Sequence, residues 1–389
     1  MKLLHTSDWH VGKTLKGRSR LDEQKAVLAE IAALAQQHEV DAILIAGDVY
    51  ENVAPSAEAQ QLVVRTLLRL ARAGMEVIAI AGNHDHGPTF EAYRPLMGVA
   101  GIRLFGQVRS AEQGGAYEFT ARSTGEQAVV AVLPFLSQRY AVKAAQLISQ
   151  TPAENVGAYD QMIREILDNL TASFSDRTVN LIMAHLTCTG GLFGGGERAA
   201  QSIFEYHVPA TAFPAETHYV ALGHLHRRQT LPAPCPVVYS GSPFAVDFGE
   251  QNNIHMVCLV EATATTPAKI TDLPITSGRR LRTVSGTVEQ ILADPASYGE
   301  DYLRVWVRQT TYAGMRDELL DALPNALEIR IDPQFALSPH RDAVRSSHAT
   351  KTPAELFADY CASAGVSDPR VSRLFDELGD ELSHSSGRR

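Results

Sequence analysis

The sequence predicts a layered α/β fold built from more than one domain. Three observations carry that prediction. Over about the first 275 residues, short apolar runs rich in branched side chains alternate with stretches of helical periodicity, the pattern of strands joined by helical crossovers. The chain has 389 residues, more than one core usually holds at roughly 100–200 residues per domain, so two or three units are expected. Hydrophobic content of 45%, charged content of 20% and aromatic content of 7% are those of a globular protein, and exclude collagen-like, fibrous and extensively disordered classes.

Taken in order, Leu3-Leu4, Ala42–Ala46, Val77–Ala81, Leu181–Ala184, Tyr219–Leu222 and Val237–Tyr239 read as buried strands. Between them Val27, Leu28, Ile31, Leu34 and Ala35, then Leu62, Val63, Thr66, Leu67, Leu70 and Ala71, recur at helical spacing. After about residue 275 the character changes. Arg279-Arg280-Leu281-Arg282 opens a segment reading strand (281–286), helix (287–293), strand (301–308), helix (314–323) and strand (327–332), a second small α/β unit over 276–337. Residues 338–389 read as a linker, Ser338 to Lys351, followed by helices. Thr352-Pro353-Ala354-Glu355 supplies an N-cap, a proline at the first helical position and a capping-box glutamate, for a helix to about Ala364 that Gly365 stops. A second short helix near Asp368-Pro369 carries Leu374, Phe375 and Leu378. Two helices this short cannot bury such faces alone, so they must dock on something.

No apolar run reaches the ~18 residues needed to span a bilayer, and Asp8 interrupts the N-terminus before a signal-peptide core can form, so a cytoplasmic protein is expected. Cys188, Cys235, Cys258 and Cys361 lie far apart with no C-x-x-C pair and read as ordinary thiols. The net charge of −9 lacks the basic balance of a typical nucleic-acid binder, so any such contact must come from local patches.

The chemistry sits just past the apolar runs. Asp8-Trp9-His10, Gly47-Asp48, Gly82-Asn83-His84-Asp85, His185 and Gly223-His224-Leu225-His226 each follow one of them. Carboxyl ends of neighbouring strands in α/β sheets face one crevice, so these side chains can meet although far apart in sequence. Any one cluster alone is better explained as a cap or turn; five together are not. Mixed carboxylate, amide and imidazole donors without thiolate suit borderline divalent ions such as Mn²⁺, Fe²⁺ or Zn²⁺. There are too many donors for one ion. A pair of ions ~3.5–4 Å apart needs a bridging carboxylate, for which Asp48 is the best candidate. His5, His218 and His255 read as strand residues, His38 and His207 as surface residues, and His86 stays ambiguous.

The ordered set D-x-H, G-D, G-N-H-D, a lone His after a strand, and G-H-x-H resembles the calcineurin-like metallophosphoesterases. The variants HTSDWHVGK, ILIAGDVYE, IAGNHD, AHLT and ALGHLHR are similar to the nuclease branch of that superfamily, the SbcD subunits of SbcCD nucleases. The resemblance implies a two-sheet layered metallophosphoesterase core flanked by helices over 1–275, a capping domain over 276–337, and partner-binding helices over 338–389. It implies one ion held by Asp8, His10, Asp48 and His226, and a second by Asp48, Asn83, His185 and His224, with Mn²⁺ the expected metal. His84 would then stabilise the transition state and assist protonation of the leaving oxygen, with Asp85 orienting it. Where relatives carry a second histidine shortly after the G-D motif, this chain has Glu51.

The implied activity is a two-metal DNA nuclease: a 3′-to-5′ double-strand exonuclease and a hairpin or single-strand endonuclease, serving DNA recombination, repair and replication. The implied partners are DNA, an SbcC-type, SMC-like ATPase subunit, and a second copy of the chain within a heterotetramer, with no membrane and with nucleoid association. Candidate phosphate contacts are Lys13, Lys16, Arg18 and Arg20 after the first motif, Arg227 after the last, and Arg279 and Arg280 at the opening of the second unit. A phosphoesterase acting on a small phosphodiester such as a cyclic nucleotide is the alternative, and a non-catalytic scaffold the third. Ser7 to Thr14 falls short of a phosphate-binding P-loop, so ATP is not expected to bind here. Gly190 to Gly196 reads first as a mobile loop and second as a gating or partner-contact segment, while Ser240-Gly241-Ser242-Pro243 reads equally as a plain turn or as a source of backbone donors near a phosphate.

Overall fold

Two six-stranded sheets face one another across an apolar interior. A computed structural model describes residues 1–136, 152–197, 207–335, 353–363, 370–371 and 373–375. In chain order the strands of the first part are β1 (Lys2–Thr6), β2 (Thr14–Leu15), β3 (Arg18–Ser19), β4 (Ala42–Ala46), β5 (Glu76–Ile80), β6 (Ile102–Phe105), β7 (Ala116–Thr120), β8 (Gln127–Leu133), β9 (Val179–His185), β10 (Tyr219–Gly223), β11 (Gln229–Leu231), β12 (Val237–Tyr239), β13 (Met256–Thr263) and β14 (Thr266–Pro274). The first sheet runs β14-β13-β1-β4-β5-β6, parallel from β1 to β6 and antiparallel at its β13–β14 side, and the second runs β11-β12-β10-β9-β8-β7, parallel in the centre with antiparallel edges.

Alternation along each strand sorts the side chains between layers. Leu3, Leu44 and Ile78 meet Val130, Leu181, Met183 and Ala221 between the sheets. Their neighbours Leu4, Ile43, Ile45 and Val77 pack outward on α1 (Leu21–Gln37) and α2 (Ala57–Arg72) through Leu28, Ile31, Val63 and Leu67. After α3 (Gly87–Val99) comes α4 (Pro152–Leu170), whose Ile163, Leu167 and Leu170 cover the outer face of the second sheet. Because β4 is buried on both faces, all five of its residues are apolar. Edge strand β14 lies outside the predicted strands for the converse reason, being mostly exposed and without an apolar run, whereas its partner β13 is buried and its apolar run Val257–Val260 is an unpredicted strand.

The later segment forms a three-stranded sheet, β15 (Leu281–Gly286), β16 (Tyr302–Val307) and β17 (Ala326–Ile331), with α5 (Val288–Ile291) and α6 (Met315–Ala322). Each lies where its period places it. Helix α5 is shorter than the expected 287–293: Thr287 and Gln290 close a capping box at its start, and Pro295 opens a separate 3₁₀ turn soon after its end. Leu15, Ala245, Phe248, Leu281 and Tyr302 make a small core between this sheet and the larger pair. Residues 1–307 and 314–330 form one compact unit.

A second unit comprises 308–313 and 331–389. It holds α7 (Pro353–Ser363), where the capping sequence predicts a helix, and Phe357 stacks on Phe375 at 4.0 Å. The linker from Ser338 to Lys351 and Leu378 lie outside the described residues. Among the described residues no helix is long and apolar enough to cross a membrane. All four cysteines are buried free thiols. His207, expected at the surface, is buried.

Candidate metal centre

Five polar clusters leave the carboxyl ends of β1, β4 and β5 in one sheet and β9 and β10 in the other, and meet at the shared end of the sandwich. The backbone there is bent hard. Asp8, His10, Asp48 and His224 all have left-handed φ, at 53°, 44°, 49° and 102°. Each such residue costs about 1–3 kcal/mol, which the surrounding packing must offset. Two glycines make the room. A Cβ on Gly47 would stand 2.2 Å from His185 Nδ1, and one on Gly82 would stand 2.1 Å from Asp48 Oδ1.

All seven predicted donors enter one buried cluster. Asp8, His10 and His226 form one compact trio, and Asp48, His185 and His224 another. Asp48 Oδ2 lies between them, 3.8 Å from His10 Nε2 and 3.5 Å from His185 Nε2. The facing Nε2 atoms of His10 and His226 are 3.0 Å apart. Asn83 Oδ1 is 2.9 Å from His185 Nε2 and 2.8 Å from His224 Nδ1.

His84 stands beside them, its Nε2 4.0 Å from Asp48 Oδ2. Its Nδ1–H donates to the Glu51 carbonyl at 2.8 Å, and its backbone N–H donates to Asp48 Oδ1, also at 2.8 Å. The Asp85 carboxylate accepts backbone N–H bonds from Val49, Tyr50 and Gly82 at 2.8–3.1 Å. Its influence on His84 therefore runs through the loop backbone, which it ties together. His86 caps α3 instead, and its Nδ1 is 2.7 Å from Thr89 Oγ1.

Burial disfavours the charged form of every imidazole here. It prevails at His84 and His224, which fall to about 4 and about 3. At His185 and His226 it is outweighed by the Asp48 and Glu250 carboxylates, which hold them up at about 9 and about 10. Burial likewise raises Asp8, whereas at Asp48 the charges and hydrogen bonds of the surrounding histidines overcome burial and pull the carboxyl far down.

Several supporting groups are not among the predicted site residues. Glu250, wholly buried, is 2.6 Å from His226 Nδ1; Glu51 Oε2 is 3.0 Å from His10 Nδ1; and Ser7, 2.8 Å from Ser240, donates to Asp8 at 2.5 Å. In the glycine-rich run, Gly194 and Gly195 donate to the Glu197 carboxylate at 2.6 and 2.7 Å, and that carboxylate also accepts His226 N–H, which links the run to the centre. Ser240–Pro243 is linked to it too: its serines reach Asp8 through Ser7 and His226 through Glu250.

The candidate phosphate contacts divide. Arg227, Arg280 and Arg18 are exposed. Lys13 pairs with Glu51, Lys16 with Glu328, and half-buried Arg279 with Glu300 and Asn325. Arg20 is only 1% exposed, bonded to Glu23 and to the Ala245 carbonyl and lying over Phe244 and Tyr302, so no face of it is open to a phosphate.

The donor set fits a pair of divalent cations. Carboxylate, amide and imidazole donors gather there within coordinating reach of one another, and oxygen and nitrogen donors free of thiolate match the borderline ions. The calcineurin-like phosphoesterase family matches residues 1–228, and a type 5 capsule protein repressor C-terminal domain matches 277–364. The chain is 35% identical to SbcD of the SbcCD nuclease of Bacillus subtilis over 285 residues, covering 72% of this chain and 71% of that one. With SbcD of Escherichia coli K12 it shares 26% over 370 residues, 92% and 90% of the two. The chain belongs to the calcineurin-like phosphoesterases and, among them, to the SbcD family of SbcCD nuclease subunits.

Proposed function

We propose that this chain is the metal-dependent nuclease subunit of an SbcCD-type complex, cleaving DNA phosphodiesters at the centre around Asp48. The observation that carries this reading is the position of Asp48 Oδ2 between two buried donor sets with His84 alongside. Asp8, His10, Asp48 and His226 would hold one ion, and Asp48, Asn83, His185 and His224 the other, with Mn²⁺ the metal that suits them. Bound there, such a pair supplies Lewis-acid activation of water and neutralises charge on the phosphate.

The chain's own residues do the rest. Asn83 and Asp48 fix the spacing of the donors. His84 has its Nδ1–H committed to the Glu51 carbonyl, so in the neutral ring Nε2, on the side of Asp48, is bare and is the atom at which it exchanges a proton. Burial keeps its resting form neutral, so Nε2 would first accept the proton that the attacking water sheds and then pass it to the leaving oxygen. Exposed Arg18, Arg227 and Arg280, with Lys13, Lys16 and Arg279, would carry the DNA backbone. Exposed apolar Val53, Tyr93, Leu96 and Val99 on and near α3 support pairing with a second copy. Exposed Tyr360 and Leu374, with Leu356, Phe357 and Phe375, support docking of the C-terminal helices on an SbcC-type ATPase, giving a nucleoid-associated heterotetramer.

The test incubates purified protein and Mn²⁺ with end-labelled duplex DNA, hairpin DNA and a cyclic nucleotide. DNA cleavage from 3′ ends and at hairpins is expected, and His84→Ala should lose about 10²–10⁴-fold in rate while still binding the ions. Turnover of the cyclic nucleotide alone would establish the small-substrate alternative; no turnover at all, with the ATPase partner supplied, would make the chain a scaffold.

A further inference from the structure

Glu250 enters the metal centre from the 3₁₀ turn Phe248–Glu250 and is completely buried. Both of its oxygens are engaged. Oε2 accepts Val246 N–H at 2.9 Å and the Ser242 hydroxyl at 3.2 Å, which leaves Oε1 aimed at His226 Nδ1, 2.6 Å away. A carboxylate held this way can only accept, so His226 Nδ1 carries the hydrogen and Nε2 is turned toward the cluster, 3.0 Å from His10 Nε2. His185 is held differently, its Nδ1–H donating to the Ala46 carbonyl at 2.8 Å.

The surroundings are shaped to admit that carboxylate. A Cβ on Gly196 would stand 2.0 Å from Glu250 Oε1 and 2.9 Å from His226 Nδ1. One on Gly241 would stand 2.6 Å from the His226 carbonyl. Two segments that the cleavage reaction leaves unassigned, the glycine-rich run and the Ser240–Pro243 turn, thus close around one carboxylate–imidazole pair.

We propose that Glu250 is a positioning residue for one ion only: it fixes the ring direction and tautomer of His226, so that Nε2 is offered to the cation shared with Asp8, His10 and Asp48. The proposal rests on the two-ion reading above. An outer carboxylate also makes its imidazole a stronger donor, and removing such a partner typically weakens metal binding about 10–100-fold.

The experiment titrates the full chain with Mn²⁺ and follows free Mn²⁺ by electron paramagnetic resonance, for wild type, Glu250→Gln and Gly196→Ala, with circular dichroism to verify folding. Wild type is expected to bind two ions. Glu250→Gln should bind one ion about 10–100-fold more weakly and the other unchanged. Gly196→Ala, which keeps the carboxylate but takes its space, should weaken the same ion. Unchanged binding of both ions in the variants, or equal weakening of both, would overturn the proposal; a wild-type chain that binds no ion pair would instead overturn the two-ion reading. Should Glu250→Gln fail to fold, Gly196→Ala decides by the same criterion.

Discussion

Glu51 Oε2 lies 3.0 Å from His10 Nδ1, and the other oxygen of that carboxylate holds Lys13 Nζ at 2.9 Å. Burial pushes this carboxyl up, but His10 and Lys13 outweigh it and hold it down at about 2, so it is ionised across the working range. Replacing it should leave the His10 ring without a fixed direction. Glu51→Ala is expected to lower cleavage about 10–100-fold at limiting Mn²⁺ and to recover much of it at high Mn²⁺. Rates measured against Mn²⁺ concentration check this; a loss independent of metal would show that Glu51 acts elsewhere.

Metal removal should cost stability as well as activity. Ions that bind only the folded chain stabilise it by about 2.7 kcal/mol at a hundred times Kd. A chelator should therefore lower Tm by a few degrees, and readdition of Mn²⁺ restore it. Thermal melts of Asp48→Asn, with the central oxygen donor replaced, should respond far less to the same treatment.

Arg20 braces the joint between the larger sheets and the three-stranded sheet. Its side chain is fully buried against Glu23 and the Ala245 carbonyl, and Arg20→Ala should destabilise the chain by about 3 kcal/mol in urea unfolding. Burial raises the Glu23 carboxyl, yet the Arg20 hydrogen bonds and charge carry it below its ordinary 4.5. Its contribution is thus present above pH 4.5 and lost as pH falls through the lower folded value. The stability gap between wild type and Glu23→Gln should narrow as the medium is acidified below pH 4.5 and stay constant above it.

Arg227 and Arg280 are exposed beside the last metal motif and at the opening of the three-stranded sheet. Each Ala substitution should reduce the slope of log affinity against log salt by about 1, uniformly across DNA sequences. Fluorescence anisotropy between 50 and 200 mM salt, the range of roughly that order in which such slopes are read, measures it. A slope that does not move would remove that arginine from the interface.

The side chains gathered at the centre could be read from sequence because each ends its strand or follows it within a few residues, and the apolar runs of β1, β4, β5, β9 and β10 mark where those strands end. The same locality made the helical and strand periods of 281–331 readable. Arg20 could not be placed that way: whether it faces water is decided by Ala245 and Tyr302, more than two hundred residues on. Glu250 escaped for a similar reason, since a three-residue 3₁₀ turn has no period to detect, and its link to His226 exists only once the turn has folded back.

The His185–Ala46 hydrogen bond and the contact of His224 N–H with Asp8 each tie one sheet to the other, 2.8 and 3.0 Å across the seam. The centre therefore senses registry between the two halves of the sandwich. Sliding them past each other would pull the donor sets apart while leaving every strand paired within its own sheet, so mild denaturant should silence the enzyme before it erases the far-ultraviolet signature of the strands.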